Sequence, residues 1–352
     1  MLGTAVRVGP LDMSLLHWVN DALMVLFFLL VGLDLKDELV LGELSRPAKA
    51  LLAVFAALGG MAVPALVYLV FNAGGPGQSG WGIPMATDIA FALACIHVLG
   101  ARVPAGLRVF LMALAIVDDL GAIVVIAVFY SGGLNAAPLL AAAGIMAVLL
   151  LLNRVGMRNL VPYMVLGIAL WYCFMQAGIH GTIAGVLLAF TIPLGADPRT
   201  GPLHRLAGRL QPLVQRLVLP VFALFNAGLP LAGVSFGSVT LGVGAGLILG
   251  KPAGILAASW LAVRLGLARL PTGADWSRGL GVGFIAGIGF TMSLFIAQLA
   301  FPAEALYDEA RLGVLLGSLI SASIGVALLL RPPRDSGTAG RRSGASRNGE
   351  AL

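Results

Sequence analysis

Two adjacent acids, Asp118 and Asp119, lie within a long apolar run, Leu111–Ile126. A charged side chain at the centre of a membrane-spanning helix costs roughly 2.5–3.5 kcal/mol on insertion scales, so it is usually functional. Two neighbouring carboxylates in a medium of low dielectric constant cannot both be ionised cheaply unless a cation or a base is nearby. With protons bound the pair is tolerable inside a membrane, and without them it offers hard oxygen ligands to a small cation. The pair therefore predicts a site that holds protons or a cation in turn.

Asp88 is a further acid that we expect at membrane depth, and it follows Pro84 and Thr87 in the sequence. Proline removes a helical hydrogen-bond donor and clashes with the preceding turn, so this span is expected to break near Pro84. A carboxylate stabilises the positive N-terminal end of a broken helix. Asp88 therefore either compensates a helix terminus or contacts the cation, and the Thr87 hydroxyl is a candidate cation ligand.

Lys251 is the base that we expect at membrane depth, and Pro252 follows it. It either pairs with Asp118, neutralises exposed carbonyls of a broken helix, or extends its amine to the membrane surface. The glycine-rich segment Gly281–Thr291 predicts a second interrupted span. Weaker candidates for buried ionisable residues are Asp21 and His180. Glycines recur at four-residue spacing and predict one smooth helix face for close packing, at Gly242, Gly246, Gly250 and Gly254.

Composition places these residues in a membrane. Hydrophobic residues make up 59% of the chain, charged residues 11%, and the mean hydropathy is +0.98. A soluble domain carries roughly 25% charged residues. The apolar runs are long enough to cross a hydrocarbon core of about 30 Å, and such repeated runs must be helical because lipid offers the backbone no partners. The net charge of +6 resides in loops and the tail, which favours membrane orientation over nucleic-acid binding.

We predict an all-α polytopic membrane protein with eleven spans. They lie near 14–36, 50–72, 82–99, 105–130, 136–153, 159–173, 178–193, 210–228, 238–262, 279–301 and 309–330. Lys and Arg follow every odd-numbered span, whereas the alternate loops 73–81, 131–135, 174–177 and 229–237 have none. Basic loops stay in the cytoplasm, so the C-terminus is predicted inside and residues 1–13 outside. Residues 14–330 form the predicted transmembrane domain, and 331–352 a disordered basic cytoplasmic tail.

The stretches around these residues resemble the NhaA family of bacterial sodium/proton antiporters. The most specific strings are ATDIAF at 86–91 and AIVDDLG at 115–121, and the similarity extends from Asp12 to Arg331. Other matching stretches are Trp18–Glu38, Gly80–Tyr130, Ile179–Pro193, Phe222–Gly228, Gly250–Pro252 and Gly287–Phe301.

This resemblance implies twelve helices, two of them broken and crossing near the membrane midplane. The family is itself an example of inverted-repeat architecture, so that expectation rests on the resemblance. By similarity, Asp118 and Asp119 bind Na⁺ or Li⁺ and protons. Asp88 balances the positive charge of the helix N-termini at the crossing. Lys251 balances the negative charge of the helix C-termini or of Asp118. The implied activity is electrogenic exchange of Na⁺ or Li⁺ for protons in the bacterial inner membrane, for sodium and pH homeostasis. The resemblance implies the transported ions as ligands and no cofactor.

The family also implies a pH-regulatory cluster at the cytoplasmic end of the first span here, which includes Asp34, Lys36 and Glu38. His180 matches a family histidine. Asp37 departs from the pattern, where a basic residue is expected, and this argues against steep pH activation.

The resemblance extends to residues before the first span. Thr4–Val8 and Leu11–Ser14 are similar to two strands of an outward hairpin that pairs two copies into a dimer. By comparison, the family's first transmembrane helix is expected before Thr4.

Three other functions compete with a transporter. Intramembrane aspartyl proteases also use two aspartates, but from separate helices in Tyr-Asp and Gly-x-Gly-Asp contexts, and neither context surrounds this pair. A channel would need a filter-like repeat, which the sequence lacks. A transport-deficient, truncated family member with a structural or regulatory role is the third. The sequence favours the transporter, and not an enzyme.

Overall fold

The computed structural model describes residues 5–8, 11–14, 16, 18–45, 47–195, 200–229, 236–271 and 273–331. Strands β1 (Ala5–Val8) and β2 (Leu11–Ser14) form an antiparallel hairpin in which Val8 faces Leu11. The outward position of this hairpin and its role in pairing two copies stay predictions. The predicted tail lies outside the described residues from position 332 onward.

Twelve helices make up the rest of the described chain. They are α1 (Trp18–Val40), α2 (Pro47–Asn72), α3 (Ile89–Leu99), α4 (Ala105–Phe129), α5 (Ala136–Arg154), α6 (Leu160–Gln176), α7 (Thr182–Thr191), α8 (Pro202–Asn226), α9 (Ser238–Arg264), α10 (Trp276–Ala286), α11 (Phe290–Ala300) and α12 (Glu304–Leu329). Helix α1 begins with a wider π turn, Trp18–Leu23, and similar turns interrupt α8 at Val214–Val218 and α9 at Gly246–Gly250.

The all-α membrane architecture is confirmed, and each of the eleven predicted spans contains helix. Seven segments are long and apolar enough to cross a membrane singly, and the bent pair of α10 and α11 adds an eighth. The remaining spans are α6, α7 and α8. The ten residues of α7 rise only about 15 Å, so this helix is too short to cross the hydrocarbon core unaided.

Helices α2 and α9 pack closely because glycines remove side chains at their crossing. A Cβ atom added at Gly254 would lie 2.1 Å from the Gly59 carbonyl oxygen, and one added at Gly250 would lie 2.7 Å from the Pro64 Cα. The four-residue glycine pattern thus lets the two backbones meet. This contact buries Lys251, which follows Gly250 and has only 1% of its surface exposed.

Two interrupted spans meet at their breaks. A 3₁₀ segment, Gln78–Met85, ends in extended backbone before α3 begins at Ile89. Helices α10 and α11 are separated by three residues and bent by 48°. The Asp88 amide donates to the Ile288 carbonyl at 2.6 Å, so the two breaks lie in direct contact. Four helix ends therefore converge in the interior, as the resemblance implied, while the inverted-repeat relation stays a prediction.

Candidate functional site

Asp118 and Asp119 lie in the middle of α4, and each has 1% of its surface exposed. Successive residues project about 100° apart on a helix, so the two carboxylates face different neighbours. Asp118 Oδ2 lies 2.5 Å from Lys251 Nζ, which makes a buried ion pair between α4 and α9. Of the three partners proposed for Lys251, the membrane surface is therefore excluded.

Asp119 has no such partner in the part of the chain that the structure describes. Within the described residues, both of its carboxylate oxygens and Oδ1 of Asp118 are buried without a hydrogen-bond donor. Buried polar atoms in folded proteins are nearly always paired, so an exception needs a reason. Three unpartnered carboxylate oxygens from adjacent residues would be satisfied by a proton or by a small cation. This is the strongest structural sign of an ion site in the described chain.

Lys251 serves a second group besides Asp118. Its Nζ also donates to the Met85 carbonyl, at the end of the 3₁₀ segment. Carbonyls at a helix C-terminus carry partial negative charge, which a cation stabilises. The ammonium group therefore neutralises a helix end and a carboxylate together, which combines two of the roles proposed from the sequence.

Asp88 occupies the opposite kind of helix end. Its Oδ1 accepts from the Phe91 amide at 3.1 Å and so caps α3, while its Oδ2 accepts from the Thr291 amide at 3.0 Å and from the Thr291 hydroxyl. One carboxylate thus satisfies amides at the N-termini of both α3 and α11. With its oxygens occupied by these donors, Asp88 fits the helix-terminus role better than direct contact with a cation.

Thr87 belongs to the same crossing. Its hydroxyl donates to the Ala286 carbonyl at 2.9 Å, at the C-terminal end of α10, and the residue is fully buried. The hydroxyl oxygen retains lone pairs, so this bond does not prevent Thr87 from contributing a neutral oxygen to a cation. Its cation-binding role stays a prediction.

Four hydroxyl residues that serve the breaks were missed from the sequence. Thr291 bridges to Asp88 as described above, and Ser293 donates to the Ile83 carbonyl at 2.7 Å. Ser318 accepts from the amides of residues 289 and 290 at 3.2 and 3.1 Å, and Ser321 donates to the Phe284 carbonyl at 2.8 Å. The available signal was the three-residue spacing of Ser318 and Ser321, which places two hydroxyls on one face of an apolar helix.

The residues predicted to take part in pH regulation lie at the two ends of α1. Lys36 Nζ donates to the Phe190 and Ile192 carbonyls at 2.8 and 2.5 Å, so it caps the end of α7. His180 lies near the other end of α1, with Nδ1 3.4 Å from Asp21 Oδ1. Asp34 is exposed, whereas Glu38 is buried one turn further along the same helix. A role for these residues in pH regulation stays a prediction.

The unexpected acid Asp37 has its own partner. Its Oδ1 lies 3.0 Å from His204 Nε2, and this contact joins the end of α1 to the start of α8. A histidine partner offers a positive charge only when protonated. The departure from the family pattern is therefore accommodated locally by a residue on a neighbouring helix.

Comparison with known proteins identifies the family of the chain. The profile of the family described as Na⁺/H⁺ antiporter 1 matches residues 2–329. The Na⁺/H⁺ antiporter NhaA of Caulobacter vibrioides is 52% identical over 335 residues, which cover 92% of this chain and 81% of that protein. The corresponding proteins of Mesorhizobium japonicum and Albidiferax ferrireducens are 51% and 53% identical over 93% of this chain, and 84% and 86% of their own lengths.

Proposed function

The chain belongs to the NhaA family of Na⁺/H⁺ antiporters, and from this premise we propose that it expels cytoplasmic Na⁺ or Li⁺ in exchange for entering protons. The exchange is electrogenic and serves sodium and pH homeostasis. The protein lies in a bacterial inner membrane with its C-terminus in the cytoplasm. Its relatives' names support Na⁺ and H⁺ as the exchanged ions, and its apolar helices support the multi-pass arrangement.

The single observation that carries the proposal is the environment of Asp119. Its carboxylate is buried beside a second acid, and neither oxygen has a donor among the described residues. Leaving a charge in this state is expensive, because desolvation is not repaid by a partner. A proton or a small cation neutralises the group, and both act on the same oxygens. The site is therefore suited to hold one or the other, but not both.

Competition for one site becomes exchange when the site faces each side in turn. Facing the cytoplasm, Asp119 releases its proton and takes Na⁺; facing outside, protons displace the cation. The proposed cation ligands are the two adjacent carboxylates, supplemented by neutral oxygens such as the Thr87 hydroxyl, which retains lone pairs.

Lys251 provides a place for a second proton. While the ion pair is intact, its ammonium carries that proton and Asp118 is ionised. A cation that attracts Asp118 weakens this ion pair. The Lys251 ammonium, which has then lost its partner, can release its proton. Two protons exchanged for one Na⁺ transfer one net charge per cycle, so the membrane potential drives the exchange.

Exchange by purified protein in liposomes tests this proposal. An acid-inside gradient is followed with a pH-sensitive dye while Na⁺ or Li⁺ is added outside, between pH 6.5 and 9. The wild type should dissipate the gradient, and Asp119→Asn should not. Asp275→Asn is a matched control: Asp275 is an exposed acid that caps α10 through the Arg278 amide at 2.7 Å, and asparagine caps equally well.

The outcomes separate the competing functions. Dissipation by the wild type and by the control, but not by Asp119→Asn, supports the proposal. No response from folded, inserted wild-type protein would instead support the transport-deficient alternative. Normal exchange by Asp119→Asn would exclude that residue as the ion site. Clamping the potential with K⁺ and valinomycin should accelerate electrogenic exchange and leave electroneutral exchange unchanged.

A further inference from the structure

A buried polar cluster outside the ion site connects three helices at the end of the bundle away from the arginine-rich loops. Asn20 and Asn226 exchange amide hydrogen bonds of 2.7 and 3.3 Å, and the Tyr307 hydroxyl donates to Asn226 Oδ1 at 3.0 Å. Their exposed fractions are 4%, 0% and 7%. The cluster joins the starts of α1 and α12 to the end of α8, and the proposed exchange chemistry does not use it.

Arg311 reinforces this connection from the next turn of α12. Its guanidinium lies 4.0 Å from the centre of the Tyr307 ring, and Nη1 donates to the Gly228 carbonyl at 2.8 Å, just beyond the end of α8. Nη1 also lies 2.9 Å from Asp308 Oδ1, which holds the side chain in place. Two residues of α12 thus bind α8 and the backbone that follows it.

An aromatic layer lies between this cluster and the ion site. The Phe295 ring on α11 lies 5.5 Å from Phe28 on α1 and 6.3 Å from Phe222 on α8, measured between ring centres. All three rings have at most 1% of their surface exposed. Phe222 is one turn from Asn226, and Phe295 is one turn from Thr291. Packed apolar rings exclude water, so the layer closes this half of the bundle.

A further face of α8 is separated from α3, the helix that Asp88 caps. A cavity of about 800 Å³ lies between α3 and α8, and its lining includes Phe91 and His97 on one side and Gln211 and Gln215 on the other. It also reaches Ala90, two residues from Asp88. Helix α8 is therefore joined to α1, α11 and α12 through Phe222 and Asn226, and it is parted from α3 along Gln211–Ala223. Such an arrangement is expected of a transporter in a conformation that is open to one side of the membrane and closed to the other.

We propose a latch that consists of Asn20, Asn226, Tyr307 and Arg311. It holds closed the end of the bundle where the β1–β2 hairpin precedes α1 (the hairpin end), while the end with the arginine-rich loops (the arginine-rich end) is open. The latch must open once in each transport cycle, and this part of the proposal rests on the proposed exchange function. The hydrogen bonds among Asn20, Asn226 and Tyr307 join neutral groups, which suits the purpose because water replaces them when the latch opens and the net change in free energy is small. Losing one such bond shifts the balance between closed and open states by about twofold to tenfold.

Thiol labelling from the hairpin side tests the latch directly. The reporter is Val19→Cys, beside Asn20 and only 5% exposed, in a background with Cys95→Ser and Cys173→Ser. A membrane-impermeant thiol reagent is added to protein in oriented liposomes, and the labelling rate is measured. Tyr307→Phe removes the hydroxyl with little change in volume. It should accelerate labelling about twofold to tenfold, because the latched state loses one hydrogen bond.

A matched control and a second variant make the result decisive. Tyr68→Phe also removes a buried hydroxyl, but this one donates to the Gly77 carbonyl at 2.6 Å, only nine residues away in the chain. Its labelling rate should equal that of the parent. Arg311→Gln, which removes the Gly228 contact, should accelerate labelling as Tyr307→Phe does. The half-saturating Na⁺ concentration at the arginine-rich side should also rise, in inverse proportion to the fraction of protein that still faces that side.

Unchanged labelling in both Tyr307→Phe and Arg311→Gln would overturn the latch. Equal acceleration by Tyr68→Phe would also overturn it, since any lost hydroxyl would then suffice. Labelling does not require transport, so the two proposals fail separately. Faster labelling without Na⁺-driven exchange supports the latch and overturns the antiport; normal exchange with unchanged labelling does the reverse.

Discussion

Replacing Lys251 by methionine should destabilise the protein far more than the loss of one surface charge. The ammonium is 1% exposed and lies 2.5 Å from Asp118 Oδ2. Removing one partner of such a pair leaves an uncompensated buried charge and costs about 3–5 kcal/mol. The Met85 carbonyl loses its donor as well, which adds about 1–3 kcal/mol. We therefore expect a loss of roughly 4–8 kcal/mol in the free energy of unfolding near pH 8.

Thermal unfolding of purified protein in detergent measures this loss. The defect should shrink at acidic pH, where the stranded carboxylate can take up a proton. Lys36→Met is a matched control: among the described residues, that ammonium donates to the carbonyls of residues 190 and 192, at a partly exposed helix end. The control should lose about 1–2 kcal/mol, with little dependence on pH.

The double variant Asp118→Asn with Lys251→Met tests whether the two side chains stabilise the protein as a coupled pair. Replacing both partners of a buried pair is often nearly neutral, so the double variant should recover most of the stability lost by Lys251→Met alone. If its loss instead equals the sum of the two single losses, the pair makes no coupled contribution. The reasoning about this ion pair would then be wrong.

Three further predictions concern the crossing, the packing and the competition of ions. Asp88→Ala should lower thermal stability by about 2–4 kcal/mol because amides at two helix ends lose their acceptor, whereas Asp88→Asn, which retains an acceptor oxygen, should lose less than half of that. Gly254→Ala should destabilise the protein by about 1–3 kcal/mol, because the added Cβ would lie 2.1 Å from the Gly59 carbonyl oxygen. Gly208→Ala is its control: a Cβ there would meet no atom within 4 Å, so the change in stability should be neutral or slightly favourable. The half-saturating Na⁺ concentration in liposome exchange should rise as pH falls, because protons compete for the same oxygens; a value that is independent of pH would contradict competition.

The sequence predicted the residues at the crossing better than their partners. Asp88, Asp118 and Lys251 were identified because an ionisable side chain in an apolar run is conspicuous. Pro84 and the glycines after position 281 indicated the breaks, since both residue types disfavour a continuous helix. These signals are local, so they are visible without the fold.

The partners could not be predicted because they lie far away in the chain. Thr291 reaches Asp88 across 203 residues, and Ser293 reaches Ile83 across 210. Serine and threonine are common in membrane helices, and each can satisfy its hydroxyl within its own helix. Only the crossing of the two spans brings these hydroxyls to their distant hydrogen-bond partners. The latch at Asn226 was missed for the same reason, since Asn20 is 206 residues away.

Proton release on cation binding tests the central claim most directly. Isothermal titration of the purified protein with Na⁺, repeated in buffers of different ionisation enthalpy, gives both the affinity and the protons released per cation. We expect the wild type to release between one and two protons per Na⁺ bound, and Asp119→Asn to show no Na⁺ binding heat. Binding of Na⁺ without proton release, or unchanged binding by Asp119→Asn, would contradict a single site shared by protons and the cation.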